Sequence, residues 1–169
     1  WQCRLPLWEL VYHDCVVAQW YWGDYNNKLP AIWDKRDLFN ALYGTPPMFM
    51  FDKAYWEKNK DRFVQSYRNA CSVARATGCS EMTDHKFLTA DRSVQRTTFA
   101  NGITVTVNFG DKPFKTPDGG QVGPGEARPT GIKATTGPAT QTAVDLPRPS
   151  ITISGKLKGG GDDTLTVHI

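Results

Sequence analysis

His13 and Asp14 stand side by side, and within the next thirteen residues come Trp20, Trp22, Asp24, Tyr25 and the amides of Asn26 and Asn27. Flat apolar rings beside carboxylate, amide and imidazole groups suit a ligand with C–H faces and hydroxyl edges, such as a sugar. The same aromatics would equally serve as packing beneath a long loop. The candidate binding set is His13, Asp14, Trp20, Trp22, Asp24 and Tyr25. No pair of carboxylates presents itself as catalytic. Asp14 and Asp24 lie ten residues apart and are assigned to hydroxyl recognition.

Something must hold these residues in place, and the stretch before them reads as a strand. Over residues 5–14, Leu5, Leu7 and Val11 fall on one side of an extended segment and Trp8, Leu10 and Tyr12 on the other, the pattern of a parallel strand covered on both faces. Pro30 then opens a helix over 30–43, with Ile32, Trp33, Phe39, Leu42 and Tyr43 at helical spacing and Gly44 as its C′ residue. Met48–Phe51 reads as a short strand. Asp52 either caps a long helix over 53–77 or reaches the same rim as Asp14; Trp56, Phe63, Tyr67, Ala70 and Ala74 form the apolar stripe of that helix. The order is strand, long loop, helix, strand, helix. In barrels of such units the loops after the strands build the active site, which places His13, Asp14 and residues 20–28 on a functional rim.

From Glu81 the period changes to two. Val94–Ala100 and Ile103–Phe109 flank Asn101-Gly102, the signal of a two-residue type I′ hairpin, with Ile103, Val105, Val107 and Phe109 on a buried face and Thr104, Thr106 and Asn108 on a polar one. Residues 110–149 hold seven glycines and seven prolines, so 111–149 reads as loop or linker apart from a turn at 116–120. Ser150–Lys158 and Thr164–Ile169 suggest a last hairpin about Gly161-Asp162-Asp163, where adjacent carboxylates lack the spaced oxygens of a calcium loop. The expected domains are therefore 1–79, the C-terminal portion of a (β/α)8 barrel; 80–114, the start of a β-sandwich; 115–149, a linker; and 150–169, a terminal hairpin.

Composition excludes several classes. With 169 residues the chain is too short for a whole eight-fold barrel. Its net charge of +3 comes mostly from 53–77, whose mixed signs mark a solvated face, and no basic stripe points to nucleic acid. No apolar run approaches the roughly 20 residues of a membrane span. The opening Trp1-Gln2-Cys3-Arg4 suggests an excised piece of something longer. Of the four cysteines, Cys71 and Cys79 are separated along a helix by about 12 Å and cannot pair, so buried free thiols are expected, with cross pairs left open. No metal motif or cofactor signature occurs.

LPLWELVYHDCV, ALYGTPPMFMF and TTFANGITVTVNFG, in that order, resemble the C-terminal end of the barrel in bacterial family 101 endo-α-N-acetylgalactosaminidases and their relatives, over about residues 4–114. The resemblance implies a glycoside hydrolase, exported, acting on a glycan. Residues 5–14 would match the penultimate barrel strand, Met48–Phe51 the last, and Glu81 onward the adjoining β-domain. It also implies that the catalytic carboxyl pair, about 5 Å apart for retention or about 6.5–9.5 Å for inversion, lies on upstream barrel strands that this chain would complete. The chain alone would be inactive. The different class of function is a non-catalytic carbohydrate-binding or purely structural β-domain.

Overall fold

The structure is a computed structural model that describes residues 5–19, 32–132, 150–156 and 162–168, the last two ranges through their backbone alone. Its elements are α1 (Leu7–Tyr12), α2 (Trp33–Tyr43), α3 (Lys53–Thr77), β1 (Met82–Phe87), β2 (Val94–Phe99), β3 (Thr104–Asn108), β4 (Phe114–Lys115), β5 (Gln121–Val122), β6 (Glu126–Thr130), β7 (Ser150–Lys156) and β8 (Asp162–His168). Contacts group residues 1–133 into one compact unit and 134–169 into another.

In the first unit, β1, β2, β3 and β6 form an antiparallel sheet in that order. Phe39, Leu42 and Tyr43 of α2 and Val73 of α3 meet Met82, Phe99, Ile103, Val105 and Val107 from the sheet in a single buried cluster. This is a helical layer on a sheet, a two-layer α+β arrangement. The barrel units and the β-sandwich expected from sequence are not seen among the described residues.

The largest correction is at the start. Residues 7–12 are helical, not a strand. With a period of 3.6, Glu9, Leu10 and His13 turn inward, while Leu7, Trp8, Val11 and Tyr12 are 66%, 54%, 63% and 41% exposed. Met48–Phe51 is likewise not a strand. It is anchored by its backbone and rings, since Arg36 donates to the Met48 carbonyl at 3.2 Å and Phe49 meets Phe63 edge-on with centroids 5.1 Å apart.

The two long helices follow the sequence closely. Gly44 takes φ +66°, and Thr45 N–H reaches the Asn40 carbonyl at 3.0 Å while Gly44 N–H reaches Ala41, the paired bonds of a Schellman ending. Residues 30 and 31, the expected first turn of α2, lie outside the described residues. Asp52 Oδ1 accepts from Tyr55 N–H at 2.7 Å, so Asp52 is the N-cap of α3. The buried stripe of α3 is Phe63, Ser66, Ala70, Val73 and Thr77. It keeps Phe63 and Ala70 from the expected stripe and leaves Trp56 and Tyr67 partly exposed. Ser66 and Thr77 tolerate burial because each has a partner, Ser66 donating to Asp37 and Thr77 to the Val73 carbonyl.

The β2–β3 hairpin forms with the expected buried face, but its loop differs. Phe99 N–H bonds the Ile103 carbonyl, Gly102 N–H bonds the Phe99 carbonyl, and Gly102 alone of the loop residues has positive φ, at 85°. A three-residue loop with a left-handed glycine replaces the type I′ turn. Asn101 decides this, since its amide donates to the Ala76 carbonyl at the end of α3 and its backbone N–H to Ser80 Oγ. Asn108, expected on a polar face, is fully buried and donates to the Lys112 and Val122 carbonyls.

The stretch expected as linker after residue 110 holds β4, β5 and β6 up to residue 130. Pro129 fits there because β6 is an edge strand. The turn at 116–120 closes the β4–β5 hairpin through Thr116 N–H to the Gly120 carbonyl at 2.8 Å. In the second unit β7 and β8 pair antiparallel from Ser150↔His168 to Lys156↔Asp162, placing Asp162 and Asp163 in a strand.

Candidate functional site

Of the sequence candidates, Trp20, Trp22, Asp24 and Tyr25 lie outside the described residues. His13 and Asp14 are described, and they diverge. His13, the C-cap of α1, is 8% exposed. Its Nδ1 bonds the Ser80 carbonyl at 2.6 Å, and since a carbonyl only accepts, that nitrogen carries the proton. The ring stacks obliquely on Phe99 at 4.9 Å. A Cβ added to Gly44 would come within 2.8 Å of His13 Nε2 and 2.6 Å of Thr77 Oγ1. Helix α1 is thus latched into a niche formed by Gly44, Thr77, Ser80 and Phe99. Asp14, one residue on, is exposed, and the Cys15 thiol after it donates to the Tyr12 carbonyl at 3.6 Å.

Beside this latch lies a mostly apolar cavity of about 300 Å³, bounded by His13, Val16, Gly44, Tyr67, Cys71 and Cys79. Val17 and Ala18, which precede Trp20 in the sequence, also line it. A second, polar groove of about 620 Å³ runs between α2, α3 and the edge strand β6, with Asp34, Gln65, Arg68, Asn69 and Glu126 on its walls. Sequence reasoning passed over this groove, because its residues come from three elements and look in sequence like ordinary surface positions.

Behind that groove, an ion network fixes the pair of helices. Arg62 donates to Asp37 Oδ2 at 2.9 Å and to Asp34, Ser66 donates to Asp37, and Trp33 Nε1 donates to Ser66 Oγ at 3.2 Å. The Arg62 guanidinium lies 4.7 Å above the Trp33 ring. Burial raises the Asp37 carboxyl above its ordinary range, against the pull of the Ser66 hydrogen bond and the two arginines. Arg62 was read from sequence as part of a solvated face; it instead bridges α2 and α3.

Among the described residues, no group of three or more His, Cys, Asp or Glu side chains could hold a metal ion. No described helix is long and apolar enough to cross a membrane. The geometry therefore offers an anchored imidazole, an exposed carboxylate after it, and a concave wall. The two carboxyl groups it gathers at the polar groove, Asp34 and Asp37, are both held by Arg62.

The profile of the glycosyl hydrolases related to GH101 family, GH129, matches residues 1–98. Solved structures that resemble the chain include the alpha-N-acetylgalactosaminidase NagBb from Bifidobacterium bifidum. Its quadruple mutant is 27% identical with a TM-score of 0.47, over 74% of this chain and 17% of NagBb. The ligand-free form is 30% identical with a TM-score of 0.47, over 63% of this chain and 16% of that one. The chain thus spans about one sixth of the length of these structures. No curated protein matches the sequence significantly. Because the family match covers residues 1–98 of 169, the chain belongs to the glycosyl hydrolases of family GH129, related to family GH101.

Proposed function

We propose that this chain is the C-terminal part of a glycoside hydrolase, contributing sugar-binding loops and an accessory β-domain to the cleavage of O-glycosidic bonds. The family match over residues 1–98 carries the reading. The chemistry would be the two-carboxylate scheme, with an oxocarbenium-like transition state and both carboxyl groups on the preceding part of the protein. That preceding part would also supply the strands of a barrel. Trp20 and Trp22 would stack on sugar faces, and Asp14, Asp24 and Tyr25 would bind hydroxyls. His13 would serve by holding the base of the loop, since its Nδ1 is already engaged by Ser80.

The test compares the full-length parent with this chain on a panel of aryl glycosides, beginning with the α-N-acetylgalactosaminide. The parent is expected to release the aryl alcohol and this chain to release none. Within the parent, Trp22→Ala should raise KM with little change in unfolding midpoint. A loss of stability of about 3–5 kcal/mol would make Trp22 a core residue and remove the stacking role. A parent that binds glycans and cleaves none would replace the enzyme by a carbohydrate-binding protein.

A further inference from the structure

The hydrolase reading uses none of the cysteines, and the structure corrects the expectation of burial for Cys15 and Cys79, while Cys3 lies outside the described residues. Cys15 and Cys79 are exposed free thiols, and Cys71 is half-buried. Cys15 ends the turn that follows α1, its N–H bonding the Tyr12 carbonyl at 3.1 Å. Cys79 sits in the turn between α3 and β1. These two turns are tied together by the 2.6 Å bond from His13 Nδ1 to the Ser80 carbonyl, two residues before Cys15 and one after Cys79. Cys79 also shares a cavity wall with His13 and Val16, the residues on either side of the Asp14-Cys15 pair. Desolvation and then the adjacent Asp14 carboxylate push the Cys15 thiol up, with a smaller push from Cys79.

We propose that Cys15 and Cys79 form a redox-responsive disulfide that fastens the end of α1 to the α3–β1 turn. The oxidant is a small-molecule disulfide. One cysteine thiolate attacks a sulfur of that disulfide, breaking its S–S bond and releasing the first small thiol. The second cysteine thiolate then attacks the protein sulfur of the mixed disulfide, forming the Cys15–Cys79 bond and releasing the second small thiol. The two protein thiols are oxidised, and their two protons leave on the two small thiols. Cys71 lies within α3 and lines the same cavity as Cys79, which makes Cys71–Cys79 the competing pair that the assay discriminates. The bond would make permanent a contact that now rests on His13.

The sequence permits a clean assay. Trypsin places the four cysteines on separate peptides, 1–4, 5–28, 69–75 and 76–86. The reduced full chain is incubated with glutathione disulfide and reduced glutathione, quenched, digested without reduction and analysed by mass spectrometry, with thiols titrated in parallel. The expected result is a dominant cross-link between 5–28 and 76–86 and a fall from four titratable thiols to two. Cys15→Ser and Cys79→Ser should each abolish it, and Cys71→Ser should retain it. In denaturant the preference for this pair should disappear. Linkage to 69–75 or 1–4, glutathione adducts that do not close, four persistent thiols, or equal selectivity in denaturant would each overturn the proposal. None of these readouts depends on glycosidase activity.

Discussion

His13 illustrates how much one hydrogen-bond acceptor decides. In sequence it borders an aromatic loop and looks like a ligand for hydroxyls. In the fold its Nδ1 is committed to Ser80 and its ring to Phe99. His13→Ala should therefore destabilise the chain by about 1–3 kcal/mol, since it strands the Ser80 carbonyl and opens the niche beside Gly44. Asp14→Ala, at an exposed position, should stay within about 0.5 kcal/mol of the parent. Urea unfolding of the two variants checks the pair. An indifferent His13→Ala variant would return His13 to the rim as a free imidazole.

At the scale of elements, α2 and α3 are joined by charge as well as by rings. Asp37 is 4% exposed and accepts from Arg62 and Ser66. Asp37→Ala leaves Arg62, Arg36 and Ser66 without that carboxylate, and the expected cost is about 3–5 kcal/mol, read from the denaturation midpoint. The sheet carries a different titration. On β1, His85 Nε2 lies 3.2 Å from Gln95 Oε1, and burial lowers the pKa of the ring. Its folded-state value is depressed below the unfolded one, so protonation favours the unfolded chain. Stability from this site is complete above the ordinary histidine range near pH 6.5 and is lost as the pH falls from there toward the folded-state value. Thermal midpoints between pH 8 and pH 5 should therefore fall more steeply for the parent than for His85→Gln. Identical slopes would show that the folded-state ring is not depressed.

For the molecule as a whole, the core that unites the helices with the sheet lies within residues 39–107, well inside the first contact unit. A chain ending at residue 133 should consequently unfold with the same cooperativity and nearly the same midpoint as the whole. Differential scanning calorimetry decides it, and a lowered midpoint would mean that 134–169 supports the first unit. The same core explains why the expected barrel fragment is not seen. The sheet is antiparallel and built from β1, β2, β3 and β6, and residues 7–12 meet this unit as a helix held through His13.

Local chemistry was enough for the sequence to determine α3 with its Asp52 cap, the Gly44 ending of α2, the buried face of β3 and the last hairpin, because each depends on residues a few positions apart. Gly44 needs only a left-handed φ, and Asp52 only a free amide three residues on. Tertiary structure decided the rest. The segment 7–12 has apolar residues for either period, and packing of His13 against Ser80, 67 residues away, selected the helical one. Asn101 changed its own hairpin by bonding α3, and Arg62 left the solvent face because Asp37 on another helix receives it. The candidate site divides in the same way. The presence of rings and carboxylates near His13 is legible in the sequence, but which of them meet a ligand is fixed by partners that only the folded chain brings within hydrogen-bond distance.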